Sequence, residues 1–271
     1  MSGCHVVGQV VSSSNQNNRQ DISDDLDNIQ YIQYIMQLQR SVVTAEPYQW
    51  PHDASFDRST TALVVIDMQR DFCEEGGYLS SQGYDLSAIR SIIPKIQTLL
   101  STFRQAGMPI FHTREGHRAD LSDLSSRESF RSRNNPSGLG IGDQGPLGRL
   151  LVRGEPGHDI VNELYPLPGE PIIDKPGKGA YANTDFDLLL RVKGIKHLVL
   201  CGVTTDVCVH TTMREANDRG YDCLLVENCC AASEERLHDA AIEMVRTEGG
   251  VFGATAKSED LLSAVCGSLA S

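Results

Sequence analysis

The sequence predicts an α/β protein: a doubly wound, three-layer (αβα) domain on a mostly parallel six-stranded sheet. Two observations predict it. From Thr61 onward, short runs of β-branched and apolar residues alternate with longer amphipathic stretches, the pattern of strands joined by crossover helices. Runs such as Ala62–Ile66 are apolar at every position, as expected of strands covered by helices on both faces.

The elements follow in order. Residues 1 to about 20 are polar and rich in Ser, Asn and Gln, a composition that predicts disorder. Asp21–Val43 places Ile22, Leu26, Ile29, Met36 and Val43 roughly at helical spacing. It reads as an amphipathic arm on the body or on another subunit, or as a loosely held tail. Residues 1–45 are therefore an N-terminal arm and 46–60 a linker, extended through Glu46-Pro47-Tyr48-Gln49-Trp50-Pro51 because a residue before proline avoids helical geometry. The domain spans 61–266. Within it, Ala62–Ile66, Pro109–His112, Pro171–Ile173, His197–Cys201, Asp222–Val226 and Gly250–Gly253 read as strands. Ser87–Ala106, Asp185–Lys193, Val209–Arg219, Ser233–Thr247 and Ser258–Val265 read as helices. Arg118–Pro168 is rich in Gly, Ser, Arg and Pro and reads as a long surface excursion, a length usually reserved for function.

Composition sets bounds. The 271 residues are 40% apolar and 22% charged, with a formal charge of −12. That composition supports one large core and argues against nucleic acid or an anionic membrane as partner. No apolar stretch is long enough to span a bilayer. The opening residues lack a basic and then apolar leader pattern. The eight cysteines show no C-x-x-C pairing, and Cys201 and Cys223 read as core thiols. A reduced, cytoplasmic setting is the expectation.

The chemistry centres on Gly202-Val203-Thr204-Thr205-Asp206-Val207-Cys208, which joins a buried strand to a helix. Ligands bind at the carboxyl ends of strands in such sheets. A helix start favours both a thiolate and a developing oxyanion. Asp67 and Lys175 also fall at carboxyl ends of expected strands, so the fold brings them towards Cys208. A carboxylate beside a thiol shares its proton, and an ammonium stabilises whichever anion forms. Singly, each residue has a structural reading: a cap for an Asp, as for Asp206, a solvated loop Lys, a core Cys.

Three segments resemble the isochorismatase-like cysteine hydrolases: Val64–Phe72 with its Asp67-Met68-Gln69-Arg70-Asp71, Lys175–Asp185, and Gly202–Cys208. The resemblance covers about Thr61–Val265. It implies strand order 3-2-1-4-5-6 and an Asp67–Lys175–Cys208 triad. It also implies a cis peptide before Thr204 and an oxyanion hole from the N–H groups of Thr204 and Cys208. Isochorismatases proper lack that cysteine, so Cys208 points to the amide-cleaving branch. The implied reaction needs no cofactor and no metal, only water and a small amide, and the implied assembly is a homodimer or homotetramer.

Further segments resemble the biuret hydrolases and, more distantly, the ureidoacrylate amidohydrolases. They include Gly76–Leu79, His112–Arg118, Gly138–Asp143, Arg153–Gly157 and Thr211–Tyr221. The resemblance implies a small, flat, nitrogen-rich amide. Where the biuret-hydrolase pattern has Gln, this chain has Glu248. A carboxylate suits a guanidinium better than neutral biuret, so Glu248 points to guanylurea; the alternative is that it faces solvent or pairs with Lys178 or an Arg. Phe72 and Tyr181 are candidate flat walls and Lys178 a candidate contact to a substrate carbonyl. Two other functions compete. Glu115 and His117 mimic part of the metal cluster of nicotinamidase-like amidases, and a non-catalytic binding protein on the same fold is possible because fold alone never sets function.

Overall fold

The computed structural model describes residues 42–267; residues 1–41 of the expected arm lie outside them. Six parallel strands form the central sheet: β1 Thr61–Ile66, β2 Ile110–Glu115, β3 Ile172–Lys175, β4 His197–Val203, β5 Asp222–Ala231 and β6 Ala254–Ala256. Their spatial order is β3-β2-β1-β4-β5-β6, as the resemblance implies. Every residue of β1 and β4 is buried, which explains why no residue after Thr61 and His197 at their starts is polar. The helix Ile93–Gln105 buries Ile96, Leu99, Leu100 and Phe103, three- and four-residue steps that line one face. No described helix is long and apolar enough to cross a membrane.

The structure moves several expected boundaries. The helix read over Ser87–Ala106 is two, Ser87–Ser91 and Ile93–Gln105, with Pro94 in the first turn of the second; proline lacks an N–H and is tolerated there. The strand read at Gly250–Gly253 lies at Ala254–Ala256. Gly249, Gly250 and Gly253 all have positive φ, so they turn the chain after the helix Glu235–Gly250 rather than extend it. Strand β2 runs on to Glu115, pairing Thr113 with Ile173 and Glu115 with Lys175. The excursion holds a helix, Ser126–Ser132, and a two-residue antiparallel ladder, Gln144–Gly145 with Gly148–Arg149. The 46–60 segment is more than a spacer. Val43 bridges Trp50, Glu46 bridges Thr255, and Trp50 is fully buried edge-on to His197 at 5.7 Å.

Glu170 braces the edge strand that carries Lys175. It receives Arg104 at 2.7 and 2.9 Å, lies 3.0 Å from His112 Nε2, and accepts the Leu167 N–H at 3.0 Å. Burial alone raises its carboxyl, but the hydrogen bonds from Arg104 and His112 outweigh that and hold it down to about 2. A depressed carboxylate stabilises the fold above its unfolded value and loses that stabilisation as pH falls through the folded value. Glu170→Gln is expected to cost about 3 kcal/mol near pH 7 and progressively less between pH 4.5 and 2. Denaturant midpoints of both proteins across that range measure it.

Candidate active site

The site forms where β1, β2, β3 and β4 end. Register sets Ile66 beside Gly202 and Glu115 beside Lys175. Asp67 follows β1 with φ 51°, a conformation that Asp tolerates better than most residues. Its N–H bonds the Thr113 carbonyl at 3.2 Å, and its Oδ1 accepts the Thr113 hydroxyl at 2.5 Å. Gly202 has φ 114°, and a Cβ there would stand 2.1 Å from the Ile66 carbonyl oxygen. Only glycine lets β4 pass this close to β1, and so lets Asp67 approach the nucleophile turn. That turn is a π-helical Thr205–Val209 entered through a cis Val203–Thr204 peptide. The helix His210–Asp218 follows it.

Lys175, Asp67 and Cys208 meet there. The Lys175 ammonium lies 2.7 Å from Asp67 Oδ2 and 3.7 Å from Glu115 Oε2. The Cys208 thiol donates to Glu115 Oε2 at 3.4 Å. One donor atom each from Asp67, Glu115 and Cys208 falls within 4.8 Å of the others. Asp67 and Lys175 are 0% exposed, Glu115 2% and Cys208 4%. Lys178 reaches in from the outside, 2.5 Å from Glu115 Oε1 and 3.5 Å from Glu128 Oε1.

The inner carboxylates Asp67 and Glu115 face the ammoniums of Lys175 and Lys178, and Glu128 outside them pairs with Arg131, so the charges balance with the thiol protonated. Burial raises Asp67, and the Lys175 charge only partly offsets it. Burial also raises Glu115, but Lys178 and Lys175 together outweigh it and hold Glu115 below its ordinary value. Both lysines are driven up: desolvation opposes them, and the carboxylates overcome it. Burial pushes the Cys208 thiol well up, with Lys175 pulling the other way. The two carboxylates therefore differ in proton affinity, Asp67 holding a proton more readily than Glu115.

The structure brings together Asp67, Lys175, Cys208 and Lys178, and places Thr204 at the start of the turn. Phe72 is buried edge-on to Tyr78 at 6.3 Å, and Tyr78 feels the charges of Lys178 and Glu115. Two residues fall elsewhere. The Tyr181 ring packs on Phe186 and Tyr221 under the Arg219 guanidinium, a core position. Glu248 is exposed at φ 53° in the non-helical stretch Thr247–Gly249 that closes Glu235–Gly250, on the way into the start of β6. Active-site groups sit at the opposite ends of the strands, so within this chain Glu248 does not face Cys208. Nor is Asp206 a cap, since no side chain caps the turn.

In the sequence Glu115 stands out only as a metal-ligand mimic, and Gln69, Thr113 and Tyr78 do not stand out as site residues. Gln69 is fully buried. Its amide donates to the Glu115 and His158 carbonyls at 2.9 Å each and accepts the Glu115 N–H at 2.7 Å. It thus clamps the Glu115 backbone as one more strand would. The signal is alternation: Phe111, Thr113 and Glu115 share one face of a strand that runs four residues past its apolar run. As for a metal, His117 Nδ1 lies 3.3 Å from Asp123 and is not among the groups that converge with Cys208. The Lys175 ammonium already stands between Asp67 and Glu115 where a shared cation would sit, so these residues do not fit a metal.

A doubly wound sheet with a buried cysteine, ammonium and carboxylates at its strand ends defines a class, cysteine hydrolases built on a parallel α/β sheet. Comparison with known proteins agrees. The isochorismatase domain profile matches residues 61–257. The chain is 34% identical over 200 residues to ureidoacrylate amidohydrolase RutB of Pantoea ananatis, covering 73% of this chain and 80% of that one. Among solved structures, an isochorismatase family protein from Desulfovibrio vulgaris is 28% identical with TM-score 0.63, over 79% of this chain and 100% of that one. A cysteine hydrolase from Pseudomonas syringae shares the fold at TM-score 0.67 and 24% identity, over 83% and 96% of the two chains. The chain belongs to the isochorismatase family, and it is a hydrolase of carbon–nitrogen bonds other than peptide bonds.

Proposed function

We propose that this hydrolase releases ammonia from a small urea-type amide, biuret or guanylurea, through an acyl-cysteine on Cys208. The carrying observation is the convergence of Asp67, Lys175 and Cys208 at the strand ends. Asp67, the carboxylate with the greater proton affinity, takes the thiol proton as Sγ attacks the carbonyl carbon. The N–H groups of Thr204 and Cys208 receive the oxyanion. Asp67 then passes its proton to the departing nitrogen, the C–N bond breaks, and ammonia leaves a thioester. Water adds to the thioester carbon while Asp67 takes its proton; the C–S bond breaks and the proton returns to sulfur. Lys175 stays charged throughout and balances the anions.

The balance of two carboxylates and two ammoniums suits neutral biuret better than cationic guanylurea, and Glu248 gives guanylurea no support within one chain. The likeness to a ureidoacrylate amidohydrolase makes a ureido acid the next candidate. The described cysteines are all free, which supports a cytoplasmic enzyme; a homodimer or homotetramer is the expected assembly. Ammonia release is the test, screened over biuret, guanylurea, triuret, ureidoacrylate, nicotinamide and N-carbamoyl amino acids beside Cys208→Ala. Turnover of a urea-type compound that Cys208→Ala abolishes is expected. Turnover of nicotinamide alone, or release that survives the substitution, rejects the reading.

A further inference from the structure

The triad leaves one buried carboxylate unused. Glu115 Oε2 lies 3.4 Å from the attacking sulfur. A nitrogen on the carbon that Sγ attacks is two bonds from sulfur, so a nitrogen on the Glu115 side of the sulfur comes within hydrogen-bond reach of that oxygen. Asp67 belongs to the same 4.8 Å cluster and is held there by the Thr113 hydroxyl and the Lys175 ammonium. The carbon under attack thus has a carboxylate for each of two substituents. Asp67 serves the departing nitrogen, and Glu115 meets whatever stands across the carbonyl.

Glu115 cannot turn away from that position. Gln69 clamps its backbone on both sides, and Lys178 holds Oε1 at 2.5 Å. A cavity of about 280 Å³ lined by Lys178, Gly177, His117 and Glu128 lies against the outer side of this pair. Lys178 is partly exposed at 38%, so the Lys178 end of the Lys178–Glu115 pair is open to this cavity.

Resting on the amidohydrolase reading above, we propose that Glu115 is the specificity-determining residue of this site: its Oε2 accepts the N–H across the carbonyl from the departing nitrogen. The site therefore selects carbonyls flanked by two nitrogens, as in ureas and biurets, over carboxamides flanked by one. In a carboxamide a CH₂ stands where that N–H belongs, and a buried carboxylate oxygen faces hydrocarbon. Sites built to hydrogen-bond a group reject the analogue lacking it far more strongly than they sort by size.

Biuret and malonamide test this directly, since they differ only in NH against CH₂. The wild type is expected to favour biuret in kcat/KM by about 10²-fold or more. In Glu115→Gln the amide oxygen turns to Lys178 and the NH₂ faces the substrate, so donor meets donor. Biuret turnover is expected to fall further than malonamide turnover, shrinking the ratio by at least about tenfold. Glu115→Asp keeps the charge and the fold but draws the oxygen back by one carbon, and should give an intermediate ratio. Biuret should also protect Cys208 from iodoacetamide better than malonamide does. An equal fall for both substrates, the signature of a proton-transfer or structural role, overturns the proposal, as does an unmoved ratio. If the wild type hydrolyses no urea-type compound, the amidohydrolase reading fails first, visibly and without any variant. Absence of selective protection then removes this inference too.

Discussion

Cys208→Ser folds as the wild type does and releases ammonia at least about 10⁴-fold more slowly, a barrier increase of about 5 kcal/mol. The two side chains have the same shape apart from the shorter C–O bond, and the position is 4% exposed, so packing changes little. What changes is the proton. Desolvation already pushes the thiol well up, and Lys175 only partly restores it. A hydroxyl starts from a far weaker acidity, and the single carboxylate with raised proton affinity, Asp67, cannot take its proton to a useful extent. The oxyanion donors stay in place, so a residual rate above background is expected, as in other enzymes stripped of a nucleophile. Steady-state ammonia release, thermal midpoints and mass spectrometry of a trapped acyl-enzyme together measure it. A serine protein within about tenfold of wild type, with unaltered folding, would mean that Cys208 is not the attacking group.

How far the site could be read from the chain depends on residue type. Strand β1 and strand β4, which leads to Cys208, are legible because both faces are covered and, after Thr61 and His197 at their starts, no residue is polar. Their carboxyl ends then located Asp67 and Cys208 with no distance information. Lys175 followed in the same way, as the last residue of a short strand. Glu115 is obscured by its own neighbours: after the strand read at Pro109–His112, Thr113-Arg114-Glu115 looks like its exit, because a strand end that forms a site is polar by necessity. Glu248 failed for the converse reason. Its segment, Thr247-Glu248-Gly249-Gly250, takes non-helical and positive-φ geometry, which reverses the chain towards the far edge of the sheet. Periodicity reports which face a residue occupies and says nothing of the edge. Tyr181 sits two residues from a flexible-looking Lys-Gly pair, yet its ring is held among Phe186, Tyr221 and Arg219; only tertiary packing separates a wall of the site from a wall of the core.

Removing either charge of the Lys175–Asp67 pair is expected to destabilise the protein by about 3–5 kcal/mol, and removing both to cost clearly less than the sum. The geometry supplies the reason. The pair is 2.7 Å apart with both side chains at 0% exposure. Lys175→Met strands Asp67 and Glu115 against the single ammonium of Lys178. Asp67→Asn leaves Lys175 with Glu115 at 3.7 Å and the Gly177 carbonyl at 3.0 Å, a weaker balance for a buried cation. In the double variant the remaining Glu115–Lys178 pair is neutral by itself, and two similar-sized side chains without net charge fill the space. Urea midpoints of the four proteins close the cycle, and the expected coupling is at least about 1 kcal/mol. Ammonia release follows a different pattern: all three variants lose it by about 10³-fold or more, because the proton acceptor or its counter-charge is gone. Stability recovered without activity means that the buried pair is kept for proton transfer and not for holding the fold. Additive losses in stability would instead mean that the two side chains do not share an ion pair, and the convergence at the strand ends would lose its chemical content.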